Sequence, residues 1–94
     1  VAYRMPDSGM APMIPLGGTV VVNRRATDPQ RSTDRVVALL VRNKTLRIRR
    51  LLEDPASGSL FGSAAQGGEL GLRFRPEQGD RLLGRVVGVL SAVG

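Results

Sequence analysis

The sequence predicts an all-β domain, a twisted, barrel-like sheet with at most one or two short helical turns. Three observations carry that expectation. Short runs rich in Val, Leu and Ile recur along the chain, the residues that suit a pleated, half-buried surface. Gly, Pro, Asn and Asp punctuate those runs at short intervals. The first eighteen residues hold Pro6, Pro12 and Pro15, which forbid a long helix there. Ninety-four residues make one domain, 1–94, with a small core.

Each element can be justified in order. Residues 1–18 are rich in Gly, Pro and Met and allow one helical turn at about residues 10–14. Residues 19–23, Thr-Val-Val-Val-Asn, are mostly β-branched and read as a strand. Residues 24–34 are polar, contain Pro29 and read as a loop. Residues 35–41 form the next strand, whose Val-Val-Ala-Leu-Leu-Val run implies burial on both faces. Residues 42–45 are a turn, with Asn43 suited to positive φ. Residues 46–52 alternate in part. Leu46, Ile48 and Arg50 face one way, and Arg47, Arg49 and Leu51 the other. Residues 35–52 thus form a hairpin, with Val36, Leu39, Leu46 and Ile48 expected in the core. A turn around Pro55, a short strand at 59–62, a Gly-rich loop at 63–69 and a short strand at 70–74 follow. Residues 83–90 close the chain as a strand. Gly84 and Gly88 within it imply a bulge or the close approach of another backbone.

Composition excludes several kinds of chemistry. The chain has no Cys and no His, so thiol catalysis, His-based triads and His/Cys zinc sites lack their residues. No cofactor or metal is expected. No apolar run approaches the ~18 residues of a membrane span, and no signal-peptide pattern opens the chain. A cytoplasmic location is the expectation. Net charge is +6, with Lys44 the single lysine among fourteen basic residues. That balance suits polyanionic partners, and it equally suits a solvated arginine-rich surface. Tyr3, Phe61 and Phe74 are the only aromatics, few for a base-stacking platform.

Three blocks carry a family resemblance. The first runs from Met10 through Pro12, Ile14, Pro15 and Gly17 into Val20, Val22 and Asn23. It resembles the opening block of the peptidase domains of LexA, UmuD and phage CI-type repressors: Gly-Asp-Ser-Met-x-Pro-Thr-Ile, then Pro-x-Gly-Asp, then a Val-rich strand. The second comprises Arg35-Val-Val-Ala and Leu46-Arg-Ile-Arg-Arg-Leu-Leu, similar to that family's strand pair ending in Val-Lys-Arg-Leu. The third is Leu82-Leu-Gly-Arg-Val-Val-Gly-Val, similar to its closing strand. The blocks come in family order and span most of the chain.

The resemblance implies a mostly β, dimeric C-terminal domain that cleaves its own linker with a serine nucleophile and a lysine base. Here the sequence departs from the pattern. Alignment on Met10 and Pro12 puts Gly9 at the nucleophile position. Alignment on Arg50 and Leu51 puts Arg49 at the base position. Glycine has no side chain to attack with, and a guanidinium keeps its proton at any pH the fold survives. Both halves of the dyad are replaced. Ser8 and Lys44 are the residues that could substitute. Ser8 sits one position early, and Lys44 is expected at a hairpin tip in water. Arg49 has two outcomes open to it: entry into the former groove, where it pairs with Asp7 or Asp34 or is covered by the chain's own upstream segment, or solvation.

The resemblance therefore implies the dimerisation and regulatory domain of a transcriptional repressor that does not cleave itself. DNA binding would belong to an N-terminal helix-turn-helix domain outside this chain, and induction to an antirepressor or another protein. Expected dimer-interface residues are Leu83, Val86, Val87, Val89 and Leu90. Two alternatives stay open from the residues alone: an active self-cleaving serine peptidase using Ser8, and a basic β-barrel that binds nucleic acid directly.

Overall fold

The computed structural model describes residues 1–11, 13–65 and 71–90. They form one antiparallel sheet of seven strands. The strands are β1 (Ala2–Arg4), β2 (Thr19–Asn23), β3 (Val36–Val41), β4 (Thr45–Glu53), β5 (Leu60–Ser63), β6 (Leu72–Arg73) and β7 (Arg81–Leu90). Their order in the sheet is β1-β2-β7-β3-β4-β5-β6. Among the described residues, helical structure is confined to two single 3-10 turns, Gln30–Ser32 and Pro76–Gln78. The chain is all-β, as its sequence predicts. No helix among the described residues is long and apolar enough to cross a membrane.

The position of β3 explains its composition. It is the middle strand of the sheet, hydrogen-bonded to β7 on one side and β4 on the other. Val37 and Leu39 project from one face and Ala38 from the other, and all three are buried. Two core clusters result. One gathers Met5, Met10, Ile14, Val20, Val22, Ala38 and Ile48, with Val36 and Leu46 packed against it. The other gathers Val37, Leu39, Leu51, Leu60 and Leu82. The four side chains expected in the core are all in contact with it, but Leu39 lies on the face opposite Ile48.

Register shifts occur between Val21 and Val22 against β7, and between Ala38 and Leu39 against β7. Bulges of this kind bend a strand and sharpen its twist. Val21 pairs with Gly88 and Val22 with Val86, which leaves Val87 as the extra residue. Gly84 serves the other purpose glycine has in a strand. A side chain there would run into the carbonyl oxygen of Asn23 and the Val22 side chain.

Differences from the sequence reading lie at the edges. Residues 2–4 form β1, unexpected in the Gly- and Pro-rich start. Tyr3 pairs with Val20 there, so a short edge strand is recruited by the strong β-former beside it. The final strand begins at Arg81, two residues early, because β3 extends the ladder to a Leu40–Arg81 pair. The expected strand at 70–74 is reduced to Leu72–Arg73, with residue 70 outside the described residues. The turn near residues 10–14 is present as a single bond from Ile14 N–H to Met10 C=O, 2.9 Å; Pro12 lies outside the described residues.

Candidate functional site

The site is built where the N-terminal segment crosses β4. Strand β4 is nine residues long, but β5 pairs only with Arg50 to Glu53. Leu51 exchanges both backbone bonds with residues 34 and 35 on the β3 side. By alternation, Leu46 and Ile48 turn their carbonyls to the other side, along the stretch that β5 leaves unpaired. Arg47 and Arg49 cap that edge themselves. Arg47 Nη1 donates to Leu46 O at 3.2 Å, and Arg49 Nη1 donates to Ile48 O at 2.8 Å.

Asp7 meets both arginines. Arg49 donates from Nη1 to Asp7 Oδ1 at 3.0 Å and from Nη2 to Asp7 Oδ2 at 3.1 Å, a two-pronged pairing that matches guanidinium to carboxylate. Arg47 Nη1 lies 3.5 Å from Asp7 Oδ2. The carboxylate also accepts from its own loop, the Gly9 N–H to Oδ1 at 2.8 Å. Burial by itself would raise the Asp7 pKa. The Arg49 hydrogen bonds, the Gly9 N–H and the charges of Arg49 and Arg47 outweigh it, so Asp7 titrates below the ordinary carboxylate range.

Gly9 and Arg49 touch. A methyl group on Gly9 would fall 2.5 Å from Arg49 Cζ and 2.6 Å from each of Nη1 and Nη2. Near-equal distances to three atoms of one plane put Gly9 over the flat face of the guanidinium. No real Cβ fits there, so the two residues depend on each other. The Arg49 side chain is 15% exposed. Its stem passes Gly62, where an added Cβ would approach Arg49 Cβ and Leu39 Cδ1 at 3.1 Å each. The loop is further fixed by the Ala65 N–H, which donates to Gly9 O at 2.8 Å.

The residues singled out from sequence thus separate into three groups. Gly9 and Arg49, far apart in the chain, are brought into contact, with Asp7 as the partner of Arg49. Asp34 pairs instead with Arg50, at 3.5 Å and in an exposed position. Ser8 is exposed, and its backbone carbonyl accepts from Ala11 N–H at 3.0 Å. Lys44 is exposed at the tip of the β3–β4 hairpin, and no hydrogen bond joins it to Ser8 among the described residues. Along β7, Leu83 and Val86 pack partly against the first core cluster. Val87, Val89 and Leu90 are 60%, 43% and 60% exposed. Val87 and Val89 line a cleft of about 440 Å³ that also includes Met13, Ile14 and Val36.

Sequence reasoning missed Asp80. It is 7% exposed, and its carboxylate accepts from Arg42 N–H and from Arg75 N–H, both at 2.8 Å. An isolated Asp before a Val- and Leu-rich strand carries no signal of a partner thirty-eight residues away.

Chemically, the Gly9–Arg49 contact offers neither nucleophile nor proton acceptor. It offers a pre-formed grip on a carboxylate. No protein-family model matches the chain, and no curated protein matches it.

Proposed function

We propose that this chain is the dimerisation and regulatory domain of a LexA- or phage CI-type repressor that does not cleave itself. One observation carries the reading: the Arg49 guanidinium covers Gly9, and these are the two residues that the sequence resemblance aligns with the family's base and nucleophile. The contact supports the alignment, because residues forty apart in the chain that should form a dyad lie against each other. It supports loss of cleavage, because Arg49 is engaged by Asp7 and laid against Gly9, with neither nucleophile nor base between them. Repressor and DNA would meet through a helix-turn-helix domain outside this chain, and pairing of two such chains raises effective concentration on a palindromic operator.

The exposed apolar residues Val87, Val89 and Leu90 support self-association. Val87 and Val89 share one cleft with Met13, Ile14 and Val36, and contiguous exposed apolar surface marks interaction sites. Sedimentation at high micromolar concentration tests the proposal. The expected result is a dimer that Val89→Asp with Val87→Asp converts to monomer without unfolding. A monomer at all concentrations would remove the dimerisation reading.

A further inference from the structure

We propose that the tip of the β3–β4 hairpin is a phosphate-binding site. A cavity of about 510 Å³ opens there, lined by Val41, Arg42, Lys44, Thr45, Arg47 and Leu72. Three of those six residues are cations. Two carboxylates nearby, among the described residues, are turned to other work. Asp7 is engaged by Arg49 as well as Arg47. Asp80 is buried and spends both oxygens on backbone N–H groups.

The tip is held in an unusual conformation. Arg42 and Asn43 both have positive φ, +52° and +58°. Asn tolerates that region, whereas an arginine there is disfavoured and persists only when its surroundings impose it. The hairpin turn, closed by the Lys44 N–H to Val41 C=O bond at 3.0 Å, calls for positive φ at both central residues, and Asp80 helps hold it by accepting from the Arg42 N–H. A backbone held this way sets the Arg42 and Lys44 side chains around the cavity.

The ligand chemistry follows from what surrounds the cavity. Arg42 and Lys44, two cations beside one cavity, suit the multiple acceptor oxygens of a phosphate, and Arg47 adds positive charge at its wall although it is held by Asp7 and the Leu46 carbonyl. No aromatic side chain among the described residues lines the cavity, so a base has nothing to stack on, and the phosphate itself is the group recognised. An acidic peptide docking as an added strand would need the carbonyls of Leu46 and Ile48, which already accept from Arg47 and Arg49. The phosphate could come from a nucleic-acid backbone or from a free phosphorylated solute. This inference does not depend on the repressor reading.

The test follows backbone amide resonances of the whole chain while inorganic pyrophosphate, a short DNA duplex or poly-glutamate is added at matched ionic strength. Shifts confined to residues 41–47 are expected with a phosphate source. If pyrophosphate produces them, the free solute suffices. If only the duplex does, the nucleic-acid backbone is the source. Lys44→Glu should weaken binding about tenfold or more, and lower the salt dependence of duplex binding by about one unit of slope. Arg42→Gly separates binding from folding. It relieves the positive φ and should raise the melting temperature while binding falls. The proposal is overturned if neither phosphate source, up to about 10 mM for pyrophosphate, moves these resonances. It is equally overturned if poly-glutamate moves them as strongly, or if both variants bind like the parent.

Discussion

Arg49 and Arg50 are adjacent in sequence and identical in chemistry, yet they live differently. Arg49 is 15% exposed, gripped by Asp7 through two hydrogen bonds and laid over Gly9. Arg50 is 38% exposed and reaches Asp34, itself 77% exposed, at 3.5 Å. The pleat of β4 makes the difference, since neighbouring side chains on a strand leave from opposite faces. On one face the N-terminal loop crosses the stretch of strand that β5 leaves unpaired, and on the other a loop aspartate stands in water. A count of charges sees two equal pairs. The structure shows one pair that organises a loop and another that solvent screens.

The comparison can be broken or sharpened by substitution. The largest effect is expected from Ile48, fully buried and on the same face as Arg50. Ile48→Ala should cost about 2–5 kcal/mol in chemical denaturation. An effect near zero would mean that the facing of β4 is reversed, and with it the contrast between the two arginines. Asp7→Asn should cost about 1–3 kcal/mol, because it leaves a mostly covered guanidinium with a neutral partner. It should also change the response to acid. The depressed pKa of Asp7 means that its contribution is present above the unfolded carboxylate value, about 3.9, and is lost as pH falls through the lower folded value. Denaturation midpoints between about pH 2 and 5 should therefore fall less steeply in Asp7→Asn than in the parent.

Gly9→Ala comes next, at about 1–2 kcal/mol, the cost of forcing the guanidinium off its seat. Its backbone is not left-handed, so the contact alone is responsible. In an Arg49→Ala background the same change should cost much less, and equal costs in both backgrounds would deny the coupling. The smallest effect belongs to Asp34→Asn, expected within about 0.5 kcal/mol of the parent. A loss as large as that of Asp7→Asn would erase the distinction drawn here.

How much of this was legible in the sequence depends on the range of the interactions involved. Strand β2, the hairpin and the closing strand were readable because Val, Leu and turn residues announce themselves locally. Strand β1 was not, since Ala2, Tyr3 and Arg4 become a strand only beside β2. The choice between Asp7 and Asp34 as the partner of Arg49 stayed open for the same reason. Alternation told which way Arg49 points, but only the path of the N-terminal loop decides which carboxylate waits there. Asp80 and the left-handed Arg42 were silent, because a buried carboxylate that serves distant backbone N–H groups leaves no pattern along the chain.

On the proposed reading, Gly9 and Arg49 occupy the place of a dyad and cannot perform its chemistry. Intact-mass measurement during prolonged incubation at alkaline pH tests it most directly, on this chain and on the longest form its gene encodes. Raised pH favours any lysine acting as base, so it gives Ser8 and Lys44 their best chance. The account predicts one unchanged mass, the same for the parent and for Ser8→Ala. Cleavage by the parent that disappears in Ser8→Ala would contradict it, and would place the nucleophile one residue before the position read here.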